Sequence, residues 1–139
     1  MPDHRRVIVC MQGKVLADSS SSFRIVETAS PPTFYLPPGD VDVSRLIPMD
    51  LSSVCEWKGN AQYWAMKGAK KKREPVAWVY PQPYPEFESI AGYFSFYSGL
   101  LECYVDQECV QPQPGGLYGG WVTKEIIGPF KGPPGTEEW

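Results

Sequence analysis

The sequence predicts an all-β (mainly β) domain, a small barrel-like body of short antiparallel strands. Short apolar runs recur at close spacing through residues 1–110, many of them separated by Pro and Gly. Aromatic residues make up 14% of the chain, which favours strands over a helical bundle. The 139 residues include 15 prolines and 13 glycines, which punctuate the chain into short segments.

In chain order, Val7–Gln12 is a compact apolar run that Gly13-Lys14 turns and Val15–Ser19 returns, an N-terminal hairpin. Phe23–Thr28 alternates as a third strand until Ser30-Pro31-Pro32 stops it. Thr33–Leu36 is a fourth, closed by Pro37-Pro38-Gly39, and Asp40–Leu51 has room for a single helical turn. Ser52–Trp57 leads to the turn residues Lys58-Gly59-Asn60 and a strand over Gln62–Lys67. Gly68–Glu74 is a charged loop, Val76–Tyr80 a buried strand, and Pro81–Pro85 a break. One short helix is expected near 86–90, with Pro85 at its first position and Glu86 and Glu88 in its first turn. Tyr93–Tyr97, the turn Ser98-Gly99 and the returning strand Leu101–Val105 complete a β-domain over 1–110.

Residues 111–139 form an irregular tail in which twelve of 29 residues are Gly or Pro. The tail also carries Leu117, Tyr118, Trp121, Val122, Ile126, Ile127, Phe130 and Trp139. Leaving that much apolar surface in water is costly, so the tail is expected to pack on the β-domain, with a protein partner as the other candidate.

Composition narrows the function classes. A net charge of −3 gives no electrostatic basis for nucleic acid or an anionic membrane as partner, and no apolar run is long enough for a membrane span. The basic run Lys70–Arg73 reads as a solvated loop. Four cysteines without CxxC spacing, and no secretory apolar segment, point to reduced thiols in a cytoplasmic protein, with organelle import left open. The only histidine is His4, which removes Ser-His-Asp and Cys-His catalysis and multi-histidine zinc sites from the domain. Neither GxGxxG nor GxxxxGK[ST] is present, so no cofactor or metal is expected.

What remains is the stretch Cys55–Trp64 with the strand that follows it. Cys55, Lys58, Tyr63, Trp64, Trp78 and Tyr80 compose a candidate small-molecule pocket, with apolar walls and one ammonium to hold a carboxylate or phosphate. Lys58 beside Cys55 would also favour a thiolate nucleophile. The plainer reading makes Cys55 a small core residue, Lys58 an exposed turn residue and the aromatics core. Trp78 and Tyr80 alternate on one strand and share a face. Asp40 and Asp42 have the D-x-D spacing of a Mg2+ site, but a solvated loop accounts for them more simply.

The order Cys55-x-x-Lys58-Gly59-x-x-x-Tyr63-Trp64, Ala77-Trp78-x-Tyr80-Pro81 and Ile90-Ala91-Gly92-x-x-x-Phe96-Tyr97 resembles the domain-of-unknown-function family 427, sometimes filed under a nucleotidyltransferase label. The resemblance covers Val7 to Val110, and the Gly/Pro-rich tail is similar to an extension carried by members from photosynthetic microbes. It implies a β-tent-like domain, akin to zinc-binding relatives. The paired cysteines that hold zinc there are missing here, and Glu56 stands where the family often has proline, which loosens the turn. No reaction transfers with the resemblance. Three functions follow in order: an anionic small-molecule site on the six residues above; a non-enzymatic protein-interaction module; and a nucleotidyltransferase using Asp40 and Asp42.

Overall fold

In the computed structural model, which describes residues 1–26, 31–68, 74–112 and 120–123, every paired strand runs antiparallel to its neighbour. The strands are β1 (Pro2–Asp3), β2 (Val7–Met11), β3 (Lys14–Ser19), β4 (Ser22–Ile25), β5 (Thr33–Tyr35), β6 (Leu46–Cys55) and β7 (Gly59–Met66). They continue as β8 (Ala77–Val79), β9 (Phe94–Phe96), β10 (Glu102–Val105), β11 (Glu108–Cys109), β12 (Gln111–Pro112) and β13 (Trp121–Val122). The described residues form a small all-β domain, as expected. Three 3-10 turns accompany the strands: Pro38–Asp40, Val43–Arg45 and Pro85–Ile90, the last being the short helix expected near 86–90.

The strands assemble as β11-β10-β2-β3, β6-β7-β8-β9, β1-β4-β5 and the pair β12-β13. Leu36 and Phe94 exchange both backbone hydrogen bonds at 2.8 Å, which hooks the end of β5 onto the edge strand β9. The N-terminal hairpin turns on Gln12 and Gly13, with φ of 51° and 79°. Two successive positive φ angles give the type I′ turn whose twist matches the strands it joins.

Three expectations need correction. Leu101–Val105 does not return against Tyr93–Tyr97: β10 pairs with β2, while β9 pairs with β8. The alternation that buries Leu101, Cys103 and Val105 is satisfied against the N-terminal hairpin, and β10 then makes its own hairpin with β11. That hairpin turns on Asp106 and Gln107, at φ of 46° and 71°, without a glycine to announce it. Asp106 is held there because its N–H donates to the Arg6 carbonyl and its carboxylate accepts the Arg6 N–H, both at 2.8 Å. Second, β6 begins at Leu46 rather than Ser52 and runs through Pro48. Pro48 pairs with Trp64 and Ser52 with Gln62, so Met49–Leu51 bulge opposite Tyr63 alone. A proline without an N–H is tolerated because β6 is an edge strand with a bulge beside it. Third, β4 ends by Ile25, and Glu27 and Thr28 lie outside the described residues.

The main core joins β2 and β3 to β5, β8 and β9 through Val7, Val9, Leu16, Phe34, Leu36 and Phe96. Trp121 enters it from the chain beyond β12. It is fully buried, its ring stacks on Phe34 at 5.2 Å, and its indole N–H donates to the Phe96 carbonyl at 2.9 Å. Leu117, Tyr118, Ile126, Ile127, Phe130, Trp139 and the run Lys70–Arg73 lie outside the described residues. Among the described residues no helix is long and apolar enough to cross a membrane.

Candidate functional site

Side chains on a strand alternate between faces, and residues directly opposite on neighbouring strands share one. Across β7, β8 and β9 the register aligns Tyr63 with Trp78 and Trp78 with Ser95. Ala61, Tyr63, Trp78 and Tyr80 therefore look the same way, and Cys55, opposite Gly59, looks with them. They meet Tyr35 and Ile90 in a second buried cluster, with Phe23, Phe87, Tyr93 and Tyr97 at its margins. Trp78 lies 4.6 Å from Tyr97 and 6.3 Å from Tyr35, centroid to centroid, and Tyr35 lies 6.3 Å from Tyr80.

Trp64 is not part of this face. One residue from Tyr63, it points into the main core and packs edge-on against Phe94 at 5.1 Å. The same period of two that groups the others separates it. Its indole N–H is buried without a hydrogen-bond partner among the described residues.

Hydroxyls give the face its polarity. The Tyr63 and Ser53 hydroxyls are 2.8 Å apart, and Tyr63 is also hydrogen-bonded to Tyr97. Burial, then the neighbouring Tyr63 charge and hydrogen bond, push the Tyr97 phenol up to about 12. The Ser95 hydroxyl is fully buried and has no hydrogen-bond partner among the described residues. Tyr35 and Ser95 carry no motif signal in the sequence, and Tyr97 enters it only through the third family motif. The alternation within Tyr93–Tyr97 marks Ser95 and Tyr97 as co-facial, and the pairing of Ser95 with Trp78 joins them to this face.

Lys58 arrives by a different route. The turn between β6 and β7 is Glu56–Lys58, and Gly59 opens β7 with φ of 116°. Asn60, expected in the turn, is instead a strand residue paired with Val54. A Cβ on Gly59 would sit 3.4 Å from the Pro83 Cα and 3.5 Å from the Gln82 carbonyl oxygen, so the proline loop lies directly against it. The Tyr84 N–H donates to the Lys58 carbonyl at 2.9 Å and closes the clasp. Under this loop Lys58 is only 6% exposed, and its ammonium lies 5.5 Å from the Phe87 ring centroid, a cation–π contact. Lys58 is therefore not the exposed turn residue of the plainer reading. Cys55, half-buried, is a free thiol, as are Cys10, Cys103 and Cys109.

Asp40 and Asp42 lie elsewhere, in an open cleft beside β3. The Ser19 hydroxyl donates to Asp40 at 2.7 Å; Ser44 and the Arg45 guanidinium donate to Asp42 and hold its carboxyl below the usual range. Among the described residues no three His, Cys, Asp or Glu side chains are grouped to hold a metal ion.

The model of a protein family described as a domain of unknown function (DUF427, NTP_transf_9) matches residues 1–111. The match includes all six candidate residues and ends before Trp121. No curated protein matches the chain.

Proposed function

The chain belongs to the DUF427 family of domains of unknown function, and from its aromatic face we propose that it is a binding domain for a small anionic molecule. The observation that carries this reading is the co-facial set Cys55, Tyr63, Trp78 and Tyr80; the Lys58 ammonium lies against Phe87, which packs at the margin of that cluster. Flat aromatic walls supply contact area at small entropic cost, and a few polar groups fix orientation. Here those groups are the Tyr63, Tyr97 and Ser95 hydroxyls. Tyr63, Tyr93 and Tyr97 are half-buried and form the accessible rim. Lys58 acts from its buried position through its field, which a low-dielectric surrounding screens less than water does. Trp64 is left out of the site and serves the core.

The reading is of a binding domain, and it assigns Cys55 no reaction. Free thiols fit a reducing, cytoplasmic setting. The tail, residues 111–139, is read as a strap across the β-domain with Trp121 as its anchor. A protein-interaction module stands second, supported by Leu51, Val54 and Trp57 exposed on the β6–β7 hairpin. A nucleotidyltransferase reading has less support, since Asp40 and Asp42 are engaged by local partners.

The test is a thermal-shift panel of nucleotides, carboxylates and sugar phosphates on wild type, Tyr63→Phe and Lys58→Met. A ligand at about a hundred times its Kd should stabilise the fold by about 2.7 kcal/mol. The expected result is a hit reduced in both variants. Silence across the panel for a folded wild type would transfer the reading to the interaction module.

A further inference from the structure

We propose that a second site, the cleft between the β6–β7 turn and the Pro85–Ile90 segment, binds a small organic cation, a quaternary or alkylated ammonium ion. The cleft has a volume of about 450 Å3 and is lined by Glu56, Trp57, Tyr84, Pro85, Glu86 and Phe87. The lining carries three aromatic residues and two glutamates, and no lysine or arginine. That composition is the reverse of the anion site proposed above.

Aromatic faces carry negative quadrupole potential and attract cations. A primary ammonium is strongly hydrated and loses much on leaving water, whereas a methylated one spreads its charge over apolar methyl groups. An open aromatic cleft therefore selects the alkylated ion, and Glu56 and Glu86 add a long-range attraction that the chain's net charge of −3 reinforces. The volume exceeds that of a trimethylammonium group and leaves room for a short polar chain attached to it.

The walls come from segments far apart in sequence, but they are fixed together. The hydrogen bond from Tyr84 N–H to the Lys58 carbonyl ties the aromatic segment to the turn one residue from Trp57. The contact of Gly59 with Pro83 fixes the approach from the other side. Trp57 is 74% exposed, so its indole face is open to a ligand. Phe87 is the weakest wall, because its ring already serves the Lys58 ammonium. Trp57 and Tyr84 must then carry most of the recognition.

The deciding experiment titrates choline into the full chain by calorimetry and by NMR of the Trp57 indole, beside its neutral isostere 3,3-dimethylbutan-1-ol. The expected result is saturable choline binding that moves the Trp57 signal, with the isostere about tenfold weaker or worse. Trp57→Ala, at an exposed position that leaves the core intact, should lose about tenfold in affinity, and Glu56→Gln with Glu86→Gln should lower affinity most at low salt. Lys58→Met should tighten choline binding by releasing the Phe87 ring, the opposite of its effect on the anion site. Equal binding of choline and its isostere, an unmoved Trp57 signal, or unchanged affinity in Trp57→Ala would overturn the proposal. A trimethyllysine peptide that bound more tightly than choline would overturn the free small molecule as occupant.

Discussion

The two faces of the β6–β9 sheet differ more than its two ends. One presents Trp64, Ala77, Val79, Phe94 and Phe96 to the main core, where the strand residues are apolar and Trp121 closes the packing. The other presents Cys55, Tyr63, Trp78, Tyr80, Ser95 and Tyr97, of comparable bulk but with a hydroxyl or thiol on all but one of them. A face that only had to exclude water would gain nothing from those polar atoms, because each must find a partner or cost free energy. Stability therefore rests on the first face, and the second is the one to which the binding proposal assigns the ligand.

The largest test of that contrast is truncation on the dry face. Trp121→Ala should destabilise the fold by about 3–5 kcal/mol in urea unfolding, since it removes a fully buried indole and orphans the Phe96 carbonyl. Tyr63→Phe, on the other face, should cost about 1 kcal/mol or less. Equal losses would erase the distinction between the faces. Next in size is Gly59→Ala. Its φ of 116° is strained for any side chain although a Cβ would make only ordinary contacts with the proline loop, so a loss of about 1–3 kcal/mol is expected from the same measurement.

Alkaline titration sharpens the comparison further. Tyr97, on the hydroxyl-bearing face, holds its proton to about 12. The unfolded chain releases that proton near pH 10, so between pH 10 and 12 the folded state binds more protons than the unfolded one. Stability should fall across this window as pH rises. Ultraviolet absorbance of phenolate should show Tyr97 titrating late, advanced only in part by Tyr63→Phe because burial is the larger cause. The smallest effect is kinetic. Burial pushes the Cys103 thiol up, so alkylation at pH 8 should reach exposed Cys109 early and Cys103 last, with little change in stability from the first event. Mass spectrometry of partly alkylated protein gives the order.

Much of this was readable from the chain, for identifiable reasons. Gly13 announced the first hairpin, and the positive φ expected at Gly59 is present. The start of β6 was hidden because Pro48 and Asp50 break an alternation that only its bulge against β7 accommodates. Asp106-Gln107 carries no glycine, and its turn depends on Arg6, a hundred residues away. Within the site, the pair Trp78 and Tyr80 was legible from period two. Trp64 was grouped with Tyr63 by composition, although the same period sends it to the opposite face. Burial of Lys58 was not legible, because it depends on the proline loop at residues 81–85 folding over a turn more than twenty residues earlier.

The most direct test follows the two indoles that the sheet holds apart. NMR of the Trp64 and Trp78 side chains, recorded while the anion panel is titrated into the full chain, reads one face against the other. The account predicts that a bound anion moves the Trp78 signal and leaves Trp64 in place. A shift at Trp64 with Trp78 unmoved, or no shift at either with every anion, would contradict it.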